Sequence, residues 1–411
     1  MNGISHSNIM LSAYKRLPEN MRNTINQPEE LIKIAGNYPD LFDCPTNPEE
    51  DKNKIDPNWR KYCIYPETFP AKGLHLLPWP ITEEFYHIPV YQYYFTRMIE
   101  SLREKNYADF IKFSGCLSHA MGDSTQPAHL SPDPNNVMMS QLLPVPDKPY
   151  LKGFHYHSTV EAVVGECAPL EPPVSFGLTA DEAGWKLACE ARKAVKYCRR
   201  FLIPTIEALF ENDMAKAESL AVAPVTFAAQ LTANAMFTAY NIAFGIPMDL
   251  PPEDLRLLPP KEEFHDLVYG GKAILDANLD VPPYTAPAVP GKLRIGGAVV
   301  TIPGLGVLPH SGMNGDRMCF MKWLLPEKVF KTFRSKVGLH AEIGTGAVEF
   351  LVFLDDKQVW SSGRMTNEMD ALDCDIAVGN AQTLTLKVVD ANNGTSFWKN
   401  HAYWGEPKLY R

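Results

Sequence analysis

Residues 117–129 have the sequence LSHAMGDSTQPAH, and this stretch decides the fold of the first half of the chain. His119 and Asp123 are four residues apart, which places both side chains on one face of an α-helix. Pro127 has no backbone N–H and ends that helix, so His129 returns from the loop beyond it. The stretch therefore predicts a helix with converging polar side chains at its carboxyl end.

A second pair of residues repeats this spacing on what is predicted to be the next helix. His157 and Glu161 stand at the two ends of the sequence HSTVE. Imidazole and carboxylate groups both suit zinc. Two such pairs, with His129 as a further ligand, predict a clustered zinc site. Seven of the eleven histidines lie in the first 160 residues, and the joint pattern makes a set of merely solvated histidines the less favoured interpretation.

The composition bounds the class of protein. At 411 residues the chain is long enough for two or three domains, and 45% hydrophobic with 21% charged residues is typical of soluble globular proteins. No window holds eighteen uninterrupted apolar residues, so we expect no transmembrane segment. The net charge of −9, without a long basic run, argues against binding to duplex nucleic acid.

The eight cysteines contain no CxxC pair, which argues against a cysteine zinc site. Cys44 and Cys63 flank a polar insertion and are the one candidate disulfide. Met1 is not followed by a basic start or an apolar segment, so we expect no signal peptide within this numbering. Either the protein is cytosolic, or the numbering begins where a signal was removed.

The pattern of apolar, proline and β-branched residues changes along the chain. Helical periodicity covers 5–16, 82–105, 107–123, 155–166, 179–212 and 215–243, and a long irregular segment covers 38–80. Prolines punctuate the residues from 251 to 291, and short β-rich runs follow. We therefore predict a multidomain α plus β chain: an all-α bundle over 1–250, a Pro-rich linker over 251–291 and a jelly-roll-like β-sandwich over 292–411.

The stretch LSHAMGDSTQPAH, followed by HSTVE, resembles the zinc-dependent phospholipase C and single-strand nuclease superfamily. The residues that match its motif are His119, Asp123, His129, His157 and Glu161. The opening GISHSNI of residues 3–9 is similar to the family's first segment. The resemblance covers roughly residues 1–245 and implies a helical bundle that holds two to three Zn²⁺ ions in a cleft.

The resemblance also implies how the ligands are shared. His119 and Asp123 would hold the first zinc with an upstream aspartate and histidine, for which Asp40 and His75 are the best candidates and Asp43 and His87 the alternatives. His129, His157 and Glu161 would hold the second zinc, and His155 lacks the four-residue spacing to Glu161. The third zinc would be held by the amino terminus and first carbonyl of Met1, by His6 and by Asp123. A processed Met1 implies a secreted or periplasmic protein.

The implied chemistry is phosphodiester hydrolysis. Two adjacent zinc ions lower the pKa of a shared water and clamp both sides of an in-line displacement. Asp40 would act as the catalytic base or would orient the attacking water. A purely structural role is improbable, since structural zinc sites are usually closed, single-ion sites.

Residues 292–411 carry a second resemblance, to the NPCBM family of carbohydrate-binding modules. The motifs are LRIGG at 293–297, GLGV at 304–307 and HAYWGEPKL at 401–409, with Asn400 where the family usually has aspartate. Trp360, Trp398 and Trp404 are candidates for stacking on a sugar, although core packing is the more usual role of a single tryptophan. The resemblance implies a β-sandwich that binds a glycan, with no sugar site assigned.

Three hypotheses follow. The first is an exported zinc-dependent phosphoric diester hydrolase of the phospholipase C type, which acts on a phospholipid or another phosphodiester and is targeted to glycan-bearing surfaces by its C-terminal module. The second is a single-strand-specific nuclease that uses the same zinc cluster, with bases stacked on aromatic side chains. The third is a non-catalytic glycan-binding adhesion protein. The acidic net charge favours the first over the second. The candidate stacking residues are Tyr86, Tyr91, Tyr93, Tyr94, Phe95 and Phe154, although aromatic residues at such spacings are more often part of the core.

Overall fold

The structure is a computed structural model, and it describes residues 3–39, 88–130, 137–264, 266–267, 291–309, 317–342, 346–391 and 400–411. The chain divides into two compact units, Met1–Leu250 and Pro251–Arg411. The first unit is helical and the second consists of β-strands. The predicted combination of an all-α region and a β-sandwich is therefore confirmed.

Ten α-helices are found among the described residues of the first unit. They are α1 (Gly3–Arg16), α2 (Glu19–Ile25), α3 (Glu29–Ala35), α4 (Ile88–Arg103), α5 (Tyr107–Thr125), α6 (Val137–Leu142), α7 (Tyr156–Glu161), α8 (Ala180–Cys198), α9 (Leu202–Phe210) and α10 (Met214–Ala243). Side-chain caps mark the starts of α5, α8 and α10. The side chains of Asn106, Thr179 and Asp213 each accept a hydrogen bond from the backbone N–H three residues further along the chain.

Helix α5 lies at the centre of this unit, where it contacts α1, α3, α4, α8 and α10. Close packing against α3 depends on Gly115, because a Cβ there would lie 2.2 Å from the carbonyl oxygen of Ala35. Almost every residue of α5 from Asp109 onwards is buried. The polar side chains at its carboxyl end therefore lie inside the unit.

Two helical predictions differ from the structure, and two short helices were not predicted. The predicted helix over 179–212 is two helices, α8 and α9, joined by a 3₁₀ turn at Arg199–Phe201. The predicted helix over 155–166 is only the six residues of α7. Helices α2 and α3 have seven residues each and were not predicted, because a run that short shows little periodicity.

Helix α10 is the one helix in the described part of the chain that is long and apolar enough to cross a membrane by length and composition. Its 18-residue apolar window is 56% buried inside the protein. The helix contacts α1, α4, α5, α8 and α9. These contacts are those of a core helix.

The second unit contains, within the described residues, strands β1 (Glu253–Asp254), β2 (Glu262–Phe264), β3 (Asp266–Leu267), β4 (Gly291–Ile295), β5 (Ala298–Ile302), β6 (Gly304–Leu308), β7 (Met318–Leu324), β8 (Thr332–Leu339), β9 (Ala347–Leu354), β10 (Lys357–Thr366), β11 (Leu372–Ala377), β12 (Thr383–Asp390) and β13 (Ala402–Tyr410). One sheet has the order β11-β8-β13-β6-β3 with β1 on β13, and the other β10-β9-β12-β7-β2. Strands β4 and β5 form a hairpin. The paired strands are antiparallel, and β7 and β12 alternate between buried and half-buried residues, as the two faces of a sandwich require.

The first part of the predicted linker over 251–291 is not a linker. Strands β1, β2 and β3 pair with β13, β7 and β6, so this part completes both sheets. Leu255 and Leu258 are buried, and the indole N–H of Trp323 donates to the Leu258 carbonyl at 2.9 Å. Residues 268–290 of the predicted linker lie outside the described residues.

Candidate metal centre

The first cluster of metal-ligating side chains consists of His6 on α1 with His119 and Asp123 on α5. Each residue offers one ligand atom, and the three atoms lie within 4.8 Å of one another. Asp123 lies between the two rings: Oδ1 is 3.4 Å from His6 Nε2, and Oδ2 is 3.4 Å from His119 Nε2. All three residues are at most 1% exposed. We call this set the His6 cluster.

The backbone of Gly36 orients His119. The His119 Nδ1 atom lies 2.9 Å from the Gly36 carbonyl oxygen, and a carbonyl can only accept, so Nδ1 carries the proton. In the neutral ring the lone pair then belongs to Nε2, which faces Asp123. A carbonyl behind a histidine ring in this way is a common support of metal-ligating histidine.

Two glycines allow α1 to approach α3 and α5. A Cβ at Gly122 would lie 2.7 Å from the His6 ring, and a Cβ at Gly36 would lie 2.6 Å from the His6 carbonyl oxygen. The ring of His6 stacks on that of His119 with centroids 3.8 Å apart. The sequence analysis did not identify Gly36 and Gly122 as site residues, and their only local signal was a glycine close to a predicted ligand.

The second cluster consists of His129, His157 and Glu161, whose ligand atoms again lie within 4.8 Å of one another. His129 lies on the 3₁₀ turn Pro127–Leu130 that follows α5, and the other two lie on α7. Glu161 spans the two rings: Oε1 is 3.1 Å from His129 Nε2, and Oε2 is 3.5 Å from His157 Nε2. We call this set the His129 cluster.

Hydrogen bonds from α1 hold the segment that follows α7. The Asn8 amide donates to the Gly165 carbonyl at 3.1 Å, and the Gly165 N–H donates to the Ser5 hydroxyl at 3.1 Å. Ser5 and Asn8 flank His6 in the sequence, and Gly165 follows Glu161 by four residues. One pair of contacts therefore fixes α1, which carries His6, to the end of α7.

His155 has a different role from His157. Its Nδ1 atom accepts a hydrogen bond from the Ser158 N–H at 3.3 Å, and the residue is the N-cap of α7. His155 is exposed and belongs to neither cluster. The preference for His157 on grounds of spacing agrees with this arrangement.

The electrostatics keep both carboxylates ionised and His6 neutral. Burial opposes the charge of Asp123, but electrostatic interaction with its neighbours, His119 and His129 among them, holds its pKa well below the ordinary value. Burial also opposes the charge of Glu161, yet hydrogen bonds from His129 and His157 lower its pKa. Burial, with His119 adding to it, lowers the pKa of His6 to about 3.

The chemistry of these donor sets fits zinc. Imidazole nitrogen and carboxylate oxygen are both zinc ligands, and each cluster places two rings on one carboxylate. The Nδ1 atoms of His6 and His129 are buried and have no hydrogen-bond partner among the described residues. A buried ring nitrogen without a partner, on a ring whose other nitrogen faces an ionised carboxylate, is an arrangement that a bound cation would stabilise.

Several predicted residues lie outside the described part of the chain. They are the ligands Met1, Asp40 and His75, the alternatives Asp43 and His87, and the candidate disulfide pair Cys44 and Cys63.

The candidate stacking residues Tyr91, Tyr94 and Phe95 are at most 2% exposed in the helical core, so that part of the prediction is wrong. Tyr93 and Phe154 are half-buried, and Tyr86 lies outside the described residues.

The tryptophans of the second unit differ in position. Trp404 is fully buried and meets Phe350 edge-on with centroids 5.1 Å apart, so it joins the two sheets and cannot stack on a sugar. Trp360 is half-buried on β10, and Trp398 lies outside the described residues. Asn400 is buried, accepts from the Ala347 N–H and donates to Asp390, which is a structural role.

Comparison with known protein families finds a match for the C-terminal part of the chain. Residues 287–410 match the NPCBM/NEW2 domain family, which confirms the predicted module. No curated protein matches the chain.

Among solved structures, the chain is similar to the M60 catalytic domain with CBM51 domains of Clostridium perfringens ZmpB (25% identity, TM-score 0.31), covering 39% of this chain and 15% of that one. It is also similar to the CBM51 of C. perfringens GH95 in complex with methyl-galactose (24% identity, TM-score 0.30), covering 39% and 99%. The alpha-toxin of an avian C. perfringens strain aligns at 11% identity and a TM-score of 0.31, and the alignment covers 97% of this chain and 84% of the toxin chain. The chain thus spans about a seventh of the ZmpB structure.

Proposed function

We propose that the helical unit is a zinc-dependent phosphoric diester hydrolase of the phospholipase C type. The NPCBM module would hold it at glycan-bearing surfaces outside the cytoplasm. The observation that carries the proposal is the pair of adjacent clusters, each with two histidines on one carboxylate. Two such donor sets, one fully buried and one partly buried, favour a multi-ion catalytic centre over a single structural ion.

Each side chain has a defined task in this proposal. Asp123 and Glu161 stay ionised and each spans two imidazole rings, so they set the spacing of the ligand nitrogens. Gly36 fixes the tautomer of His119 and thereby directs Nε2 toward Asp123. Zinc bound at these clusters would lower the pKa of a water molecule and stabilise the developing charge on phosphate oxygens. Asp40 is proposed as the residue that orients that water or accepts its proton.

Met1 and His75 complete the proposed ligand set with Asp40, which gives two to three zinc ions in total. The proposed role of Met1 places its amino group at the metal centre. The single-strand nuclease is the weaker alternative, since three of its six candidate stacking residues are core residues. The adhesion hypothesis requires an incomplete cluster, whereas all five residues of the family motif come together in the two clusters.

The test is zinc content together with turnover. We expect two to three zinc ions per chain by mass spectrometry, and chelator-sensitive hydrolysis of para-nitrophenylphosphorylcholine. H157A should lose a zinc ion and activity. H155N is the matched control, because asparagine keeps a capping group for α7. It should retain both the ion and the activity.

Turnover that survives complete removal of metal would overturn the proposal, as would equal zinc content in H157A and H155N. Hydrolysis of single-stranded DNA but not of phosphatidylcholine would establish the nuclease instead. No bound zinc after reconstitution, with glycan binding retained, would support the adhesion hypothesis.

A further inference from the structure

An exposed apolar loop lies next to the His129 cluster. Residues 142–150 run from the last residue of α6 into a 3₁₀ turn at Pro149–Leu151, on the way to α7, and we call them the 142–150 loop. Leu142 is 73% exposed, Tyr150 is 50% exposed and Val145 is 37% exposed. Three large apolar side chains thus face solvent within nine residues, which is unusual for a surface that stays in water.

The base of this loop is fixed to the helices that carry the metal ligands. Leu151 is buried in a core cluster with Ala128 and Val160, the residues directly before His129 and Glu161. The Tyr156 hydroxyl donates to the Leu143 carbonyl. The loop therefore has a defined position relative to the His129 cluster.

The outer part of the loop is also held in shape. The Tyr150 hydroxyl and the Lys148 ammonium both donate to the Phe210 carbonyl, at 2.7 and 2.8 Å. Pro144, Pro146 and Pro149 restrict the backbone between them. A loop constrained in this way presents its apolar side chains at a low cost in conformational entropy when they become buried.

Residues 142–154, the loop together with the residues that follow it, carry a small positive charge. Lys148 and Lys152 are exposed and Asp147 is the only acidic residue between 142 and 154, so this segment is positive in a chain of net charge −9. Apolar side chains with lysines beside them match the interface of a phospholipid bilayer, where acyl chains lie beneath phosphate groups.

We propose that the 142–150 loop inserts into the surface of a phospholipid bilayer and brings the metal centre to lipid held in that bilayer. The inference deepens the proposed function and rests on it for the substrate, whereas docking itself requires neither metal nor turnover. It names the substrate class as membrane-resident phospholipid. It also assigns membrane contact to the helical unit, independently of glycan binding by the NPCBM module.

The test is flotation of the full-length protein with vesicles of phosphatidylcholine and phosphatidylglycerol, which contain no glycan. Binding should survive the chelator. In L142D/V145D we expect partitioning to fall at least about tenfold, because two apolar side chains no longer enter the interface. The ratio of vesicle turnover to turnover of monomeric dihexanoyl-phosphatidylcholine should fall similarly. V174D is the matched control, since Val174 is 57% exposed in the same unit and distant in sequence.

Wild-type partitioning in L142D/V145D, or an equal loss in V174D, would overturn the proposal. Binding to single-stranded DNA without binding to vesicles would also overturn it. Chelator-resistant vesicle binding that L142D/V145D abolishes, with no turnover of any phosphodiester, would uphold the docking surface while the proposed hydrolase fails. Circular dichroism confirms that each variant is folded.

Discussion

Replacing Gly122 with alanine tests the geometry of the His6 cluster with a single methyl group. The new Cβ would lie 2.7 Å from Cε1 and Nδ1 of His6 and 3.2 Å from Cδ1 of Ile9. Carbon atoms in contact prefer a separation of about 3.5–4.0 Å, so the ring must move by roughly 1 Å. The His119 ring, stacked at 3.8 Å, limits that movement. Zinc ligation tolerates only about ±0.2 Å in its distances, so His6 should leave the ligand set.

Two opposing effects set the change in stability of the zinc-free G122A variant. Alanine at a helix position formerly glycine gains about 1 kcal/mol of helix propensity, whereas overpacking in a core costs about 1–3 kcal/mol. The zinc-free variant should therefore lose at most about 2 kcal/mol. Disturbing the support of a ligand typically lowers zinc affinity about 10–100-fold, and loss of His6 itself should lower it by at least as much.

Competition with a chromophoric chelator measures the affinity, and thermal unfolding measures the stability. G184A is the matched control, because its Cβ would lie 2.6 Å from Gln92 in a helix remote in sequence from both clusters. It should lose stability and keep its zinc. Unchanged zinc affinity in G122A would refute the conclusion that Gly122 positions His6.

Three further predictions concern single side chains. E161Q keeps the volume of Glu161 but removes the charged group that contacts both His129 and His157. The variant should lose about one zinc ion per chain, while its helical content, measured by circular dichroism, stays unchanged. Full zinc occupancy would contradict this prediction. Acid should destabilise the zinc-free protein, because His6 is protonated near pH 6.5 in the unfolded chain but only near pH 3 in the native chain. The free energy of unfolding, measured in urea, should fall by about 2–3 kcal/mol between pH 7 and about pH 4.5. A free energy of unfolding that rises over that interval would refute the predicted direction. W404A should destabilise the second unit by about 3–5 kcal/mol in denaturant unfolding, whereas loss of glycan binding at unchanged stability would return Trp404 to the sugar site.

The sequence alone could predict those parts of the site that depend on local spacing. The four-residue spacing of His119 to Asp123, and of His157 to Glu161, matches the helical repeat, and both pairs lie together in the structure. The end of α5 before Pro127 follows from the missing N–H of proline. Grouping His6 with Asp123 required the family resemblance, because no local pattern relates residues so far apart.

Other features depend on tertiary packing and leave little trace in a local pattern. The Gly36 carbonyl behind His119 is a backbone group, which any residue could supply. Strands β1 to β3 have two or three residues each, too few to show an alternation. They form because the sheets of the second unit offer strands for them to pair with. The proline content of residues 251–291 does not show this pairing, and it therefore predicts a linker.

The contacts of Ser5 and Asn8 with Gly165 have a consequence during protein synthesis. Ser5 and Gly165 are 160 residues apart, so α1 leaves the ribosome long before the segment that holds it. At about 5–20 residues per second, that delay is about 8–30 s. The apolar face that contains Ile9 and Met10 also packs against α10, which is synthesised later still. Part of that face therefore stays without its final partners until the last helix of the unit has been made.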